Sequence, residues 1–474
     1  MNIRTVILAF GAAAVALAQN APPSGDTRGV TLPGRAAEPQ APAAAAAGRG
    51  RGGFGGPAVR SPEVSADGKV TFRLRAPNAK EVFVTGAGAR LAMVKNDQGV
   101  WSATTDVLKP DIYSYSFSVD GATFNDPGNA LFKTSYGSAG QSEVVVPGPG
   151  VSWVPGKDAP RGAVTRHFYH SAVAGDDRDF WVYTPANYDP KRKEPYPTLY
   201  LLHGLGDDSN SWIESGAANV ILDNLIAQGK AKPMVMVNPL GYGLAGGPAT
   251  AMGPTMIPSY ARTVLEEVMP LVEKEYNVSK DRNLRAIAGL SMGGAEATYV
   301  GLNHLDKFAW ICSMSGAYVM WPRATSGGPE TAGGRGPAGP AGARAGAPPA
   351  GAAPGAPPGA PAGAAPAAAG PGAAPAAGGR GAAGGRGGGQ TVDTATIEKN
   401  FPSLDAKANS QIKMLWIVCG ADDGLLGVNR AFEAWLKTKD VKFTSDEVPG
   451  YAHVWPLWRK NLTDLAPLLF QAKK

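Results

Sequence analysis

IAGLSMGGAE, residues 287–296, is the stretch on which the reading of this chain turns. Ser291 lies between Gly289 and Gly293 in a G-x-S-x-G pattern, with another glycine at 294. The run LRAIAGL before it reads as a strand, and GGAEATYVGL after it begins a helix. A strand–serine–helix passage of this kind lifts a hydroxyl above the strand end, at the positive end of a helix dipole. The same small residues also suit a helix that packs closely on a sheet. A nucleophile therefore requires a base, an acid and an oxyanion site elsewhere in the chain.

The surroundings supply a sheet. YPTLYLLHG (196–204), PMVMVNP (233–239), KFAWICSMSG (307–316) and KMLWIVCG (413–420) are apolar runs of the type found in buried parallel strands. TRHFYHSAV (165–173) and RDFWVYTP (178–185) are expected to be strands that precede them. SYARTVLEEVMPLVEKEY (259–276) predicts an amphipathic helix, with apolar residues at 264, 268, 271 and 272. Pro270 inside it is expected to kink or interrupt it. Alternating strands and helices imply an α/β domain with a mostly parallel sheet over residues 163–474.

A serine hydroxyl needs a base, and His453 in VPGYAHVWPLW falls between a strand and the C-terminal helix. His203, in LLHGLG, is expected to brace a loop through its imidazole. The acid that orients the base comes from CGADDGLL (419–426), where composition leaves Asp422 and Asp423 both open. Two N–H donors are needed for a tetrahedral oxyanion: Met292, directly after the serine, and Leu205 in HGLGDD, with Gly206 in reserve. Trp212, Tyr242 and Trp455 sit on loops near strand ends. They are candidates for lining a substrate pocket, against a plain packing role.

Composition accounts for the rest. Gly (63) and Pro (41) are abundant and unevenly spread, which points to low-complexity tracts beside the folded parts. MNIRTVILAFGAAAVALA reads as a signal peptide over 1–18, implying a secreted or periplasmic protein. A disordered Ala/Pro/Gly-rich leader is expected over 19–60 and a Gly/Ala/Pro-rich insertion over 324–392, inside the α/β domain. That insertion is a candidate lid or surface tether, or a tolerated expansion. The formal charge of +6 comes from arginines in these tracts, so a nucleic-acid partner is not expected. No second apolar stretch has spanning length, so stable membrane insertion is not expected either. Cys312 and Cys419 make neither a disulfide framework nor a metal cluster.

Residues 61–148 alternate as short strands and suggest a β-sandwich, with 149–162 as a linker. Its phrases GVWS, YSYSFSVDG and NDPGN resemble the immunoglobulin-like module at the front of some carbohydrate-active enzymes. Trp101, Tyr113 and Tyr115 are there as sugar-stacking candidates or, more ordinarily, core.

In the larger domain LLHGLGDDSNSW, YARTVLEEVMPLVEKEYNV, RAIAGLSMGG, WIVCGADDGLL and WRKNLTDLAPLLF, in this order, resemble the esterase-D-like branch of the α/β-hydrolases. The resemblance is greatest to bacterial feruloyl and acetylxylan esterases of carbohydrate esterase family 1. Enterochelin esterases and S-formylglutathione hydrolases are relatives. It implies an α/β-hydrolase fold with Ser291 as nucleophile, His453 as base and Leu205 and Met292 as oxyanion donors. It selects Asp423 as the acid, by the last aspartate of the CG-x-x-D phrase. GYAH, where the family often has Gly-Gly-His, is a departure in the histidine loop. The implied activity is a serine carboxylic-ester hydrolase without metal or organic cofactor, acting on a feruloyl ester of plant cell-wall polysaccharide. Acetylxylan, a siderophore ester, or a non-catalytic carbohydrate-binding role on the same scaffold are the alternatives.

Overall fold

A computed structural model describes residues 59–136, 140–251, 253–324 and 391–471. The signal peptide, the leader up to residue 58 and most of the insertion lie outside the described residues.

Among the described residues, eight strands form the large sheet: β1 (Ala163–Ser171), β2 (Asp176–Thr184), β3 (Thr198–Leu202), β4 (Val235–Pro239), β5 (Arg285–Leu290), β6 (Trp310–Met314), β7 (Met414–Gly420) and β8 (Thr444–Val448). Their order is β1-β2-β4-β3-β5-β6-β7-β8. β1 and β2 run antiparallel and the rest are parallel from β4 onward. The strand order and the serine turn after the central β5 make this an α/β-hydrolase fold. The inner strands β3, β4 and β5 are buried along their whole length, which explains their unbroken apolar runs. Helices cover both faces, giving one core around Tyr200, Val237, Ile287 and Phe432 and another around Leu199, Met236, Ala288 and Leu462.

The amphipathic segment bends its rules without breaking. Met256–Arg262 and Met269–Glu275 are α-helical, and Thr263–Val268 between them is a π-helix. Pro270 stands in the first turn of the second α-helix, where its missing N–H costs little. Val264, Val268 and Val272 stay buried through the change of pitch. The expected kink is thus taken up by a wider turn just before the proline.

Residues 59–146 form two antiparallel sheets. One has the order Glu63–Val64, Val70–Arg75, Val100–Thr104, Val94–Lys95. The other has Ala89–Ala92, Val82–Gly86, Asp111–Val119, Gln141–Val146, Phe132–Lys133, with Ala122–Phe124 folded back on Asp111–Val119. Phe72 from the first and Val84, Tyr115, Phe117 and Val144 from the second share a core. Asp126, from the NDPGN phrase, accepts from Ser61 Oγ at 2.6 Å and Tyr115 Oη at 2.7 Å. Trp101 and Tyr115 are buried, and Trp101 Nε1 donates to Ala76 O, so neither is placed for sugar stacking.

The segment expected as a linker is docked. Asn224 in the helix Ala218–Ala227 donates to Ser152 O and Val154 O and accepts from Gly156 N. At the insertion, Ala324 N donates to Thr396 Oγ1 and Val392 is buried in the core, so the fold resumes before the expected boundary at 392. Asp393 then caps the helix Thr394–Asn400 through Thr396 N. Cys312 and Cys419 are free, buried thiols on the neighbouring strands β6 and β7.

Candidate active site

Ser291 occupies the turn between β5 and the helix Met292–Asn303, at φ 53° and ψ −115°. A non-glycine residue at positive φ carries strain, and here neighbours hold it. Ser291 N donates to Met314 O at 2.8 Å, and Ser291 O accepts from Ala317 N and Ala295 N. The flanking glycines are steric necessities. A Cβ on Gly289 would stand 2.3 Å from Gly293 O, and one on Gly293 would stand 2.5 Å from His203 O. Valine or alanine at either position would push the helix off the sheet.

His453 lies in the loop between β8 and the helix Trp455–Leu465. Its Nδ1 is 2.8 Å from Oδ2 of Asp423, whose side chain is fully buried while the imidazole is about a third exposed. Burial pushes the Asp423 carboxyl up, but the His453 hydrogen bond and charge, with Leu425 N and Ser315, outweigh it and hold it below the usual carboxylate range. A carboxylate that stays ionised favours the proton on Nδ1 and leaves Nε2 with a free lone pair. Asp422 is exposed, and its backbone N–H goes to Tyr451 O. Asp423 is therefore the partner of His453, and the ambiguity between the two aspartates is resolved. Among the described residues Ser291 Oγ and His453 make no direct hydrogen bond.

Two residues outside the sequence reading support this pair. Ser315, itself at φ 52°, follows β6 and contributes its hydroxyl beside Asp423. Trp458 donates to Ser315 Oγ and packs its ring edge-on to His453 at 4.9 Å between centroids. The phrase SMSG at a strand end was the available signal for Ser315. For Trp458 it was the spacing of about one helical turn after His453.

The loop after β3 faces the serine. Among the described residues neither the Leu205 nor the Met292 N–H has a hydrogen-bond partner. Gly206 N instead donates to Tyr242 Oη at 2.8 Å, which removes it as a reserve oxyanion donor. His203 is fully buried. Gly241 N donates to its Nε2 and its Nδ1 donates to Gly204 O, both at 2.8 Å. That pattern fixes one neutral tautomer, and burial lowers the ring's pKa accordingly. His203 thus braces the loop, as expected.

The aromatic candidates divide. Trp455 is half-buried, packed edge-on to Trp212 and Trp458. Trp212 and Tyr242 are fully buried and do not line a pocket. Trp212 Nε1 donates to Leu202 O, and its ring supports Trp455 edge-on at 5.2 Å. Tyr242 Oη accepts from Gly206 N and donates to Asp207 O at 2.9 Å, so it ties the loop from below. Leu205, by contrast, leaves its side chain 47% exposed beside the elbow.

Residues 171–334 match a family profile described as "Putative esterase". A protein from Xylanibacter ruminicola named endo-1,4-beta-xylanase/feruloyl esterase is 33% identical over 274 residues, which is 56% of this chain and 37% of that one. Endo-1,4-beta-xylanase Y from Acetivibrio thermocellus is 32% identical over 148 residues, 29% of this chain and 13% of that one. The chain thus spans little more than a third of the first relative's length and less of the second's. In fold, this chain is similar to the crystal structure of an enterochelin esterase from Shigella flexneri, with a TM-score of 0.52 and 18% identity over 86% of this chain and 95% of that one.

One buried acid of the α/β domain stands outside the constellation. Glu296, in the helix after Ser291, is fully buried, with neither carboxyl oxygen partnered among the described residues, and it interacts electrostatically with Tyr260, whose hydroxyl is likewise unpartnered among them. Burial raises its pKa well above 4.5, and Arg178 offsets this only in part. The folded protein therefore holds this proton while the unfolded chain releases it, so stability falls as pH rises above about 4.5. Glu296→Gln, neutral at every pH, is expected to match the wild type near pH 4 and to exceed it at pH 8. Urea midpoints at the two pH values measure this, and a difference independent of pH would contradict it.

Proposed function

We propose that this chain is an exported serine carboxylic-ester hydrolase acting on feruloyl esters of plant cell-wall polysaccharide. The observation that carries the chemistry is the ionised, buried Asp423 bonded to His453 beside a strained serine elbow, with the Leu205 and Met292 N–H groups unengaged. In this reading His453 takes the Ser291 proton as Oγ attacks the ester carbonyl, and the imidazolium is stabilised by Asp423. The two N–H groups hold the oxyanion. His453 then protonates the leaving alcohol, and the acyl-enzyme is cleared by a water that His453 deprotonates. The chain's own groups perform each step.

The substrate is supported by the 33% identity over 274 residues to the relative named xylanase/feruloyl esterase. The exposed Leu205 and half-buried Trp455 suit an aromatic acyl group. Export is supported by the pattern of residues 1–18. A panel of methyl ferulate, acetylated xylan and an enterochelin-type triester tests the reading. Methyl ferulate is expected to exceed the other two by about tenfold or more in kcat/KM. Turnover of the triester alone would replace the feruloyl reading with a siderophore one, and turnover of acetylated xylan alone with a deacetylase.

A further inference from the structure

The front sheets reach the oxyanion loop. The strand Phe132–Lys133 and the residues after it lie along the HGLGDD loop of the esterase domain. Lys133 Nζ is 2.5 Å from Asp207 Oδ1, with both side chains largely buried (17% and 9% exposed). The same ammonium sits 5.7 Å from the centre of the Trp455 ring. Ser135 Oγ donates to Gly206 O at 2.5 Å, and Tyr136 N donates to the same oxygen at 3.2 Å. The Tyr136 ring packs on Tyr242 at 5.1 Å, and Tyr242 holds Gly206 N and Asp207 O from the other side.

Residues 206 and 207 are therefore gripped from two directions, by Tyr242 from within the α/β domain and by 133–136 from the front unit. Leu205 is left between the grip and His203, with its N–H unengaged. Gly206 is at φ 86°, a conformation that lets the loop turn sharply and that nothing in its own side chain can stabilise. An oxyanion donor acts only if it is in place before charge develops, so a loop of this kind needs external support.

We propose that Lys133, Ser135 and Tyr136 are positioning residues for the oxyanion loop, which makes the front unit part of the active site's frame. The proposal rests on the ester-hydrolase reading and assigns the front unit a role in turnover. The buried ion pair carries the most weight, because removing one partner leaves the other charge uncompensated against the loop it must hold.

The test uses the full chain. Lys133→Met is expected to lower kcat on the best ester by about tenfold or more and to leave KM within about threefold, since the lost interaction serves the transition state. Lys133→Arg, which can keep the pair, is expected to restore most of the rate. Hydrogen exchange at the Gly206 and Asp207 amides is expected to speed up about tenfold in Lys133→Met. A merely adhesive contact would lower the unfolding midpoint and leave kcat and these amides unchanged, and that result would overturn the proposal. If Lys133→Met does not fold, Lys133→Gln/Asp207→Asn, which leaves no unpaired charge, is measured in the same way. If the wild type hydrolyses no ester, the functional reading fails by itself, and amide exchange alone decides whether 133–136 holds the loop.

Discussion

Ser291→Ala is expected to lower kcat/KM on the best ester by about a millionfold, and Asp423→Asn by about 10⁴-fold, with Asp422→Asn within about threefold of the wild type. The ordering follows from the geometry. In the proposed mechanism the serine supplies the bond-forming oxygen, so its loss leaves only binding and the oxyanion donors. In that mechanism Asp423 supplies no reacting atom but fixes which imidazole nitrogen carries the proton, by accepting a 2.8 Å hydrogen bond from His453 Nδ1 on a fully buried carboxylate. An asparagine there can present its NH₂ to Nδ1 and reverse the tautomer, which turns the base away from the serine. Asp422 is exposed and offers only a backbone contact. Steady-state kinetics on the three variants measure the ordering. Full turnover by Ser291→Ala would exclude the serine mechanism, and an Asp422 effect equal to that of Asp423 would mean that the histidine loop rearranges in solution.

The sheet, the serine turn at its centre and the late histidine loop were legible because they rest on local rules. Apolar runs of strand length, a glycine-flanked serine and a late histidine each report their own surroundings. The choice between Asp422 and Asp423 was not local. Both follow the same strand end, and the path of the chain after Gly420 determines which one turns inward. Resemblance to a family selected Asp423 where composition could not. Trp212 and Tyr242 show the opposite difficulty. Aromatic residues on loops next to strand ends suit a pocket wall and a buried brace equally. Only the partners of Trp212 Nε1 and Tyr242 Oη, Leu202 O for one and Gly206 N with Asp207 O for the other, reveal the brace. Lys133 was illegible for a further reason. Its partner Asp207 lies across a boundary between two separately patterned units, and alternation within the front strands carries no information about what they rest against.

Arg459→Met is expected to cost about 3–5 kcal/mol of stability, the typical loss when one partner of a buried ion pair is removed. Arg459 is 1% exposed on the helix Trp455–Leu465, two turns from His453. Its Nη2 is 2.5 Å from Asp111 Oδ1 in the front sheets, and its Nη1 donates to Ser215 O at 2.5 Å in the α/β domain. Ser215 Oγ in turn donates to Glu143 Oε1 at 2.9 Å, so front strands, the 211–216 turn and the C-terminal helix meet at one guanidinium. Methionine fills much of the volume but leaves the Asp111 carboxylate and the Ser215 carbonyl without that donor. The exposed pair Arg430–Glu447, at 2.6 Å, supplies the control: Arg430→Met is expected to cost less than about 1 kcal/mol, because water already screens both charges. Chemical denaturation of the two variants, followed by tryptophan fluorescence, makes the comparison. Equal losses would mean that the junction is wet and that the two units adhere by area alone. A large loss confined to Arg459→Met would mean that the helix beside His453 and the front sheets unfold as one body, which is the mechanical condition for a front-unit lysine to hold the 203–208 loop as proposed.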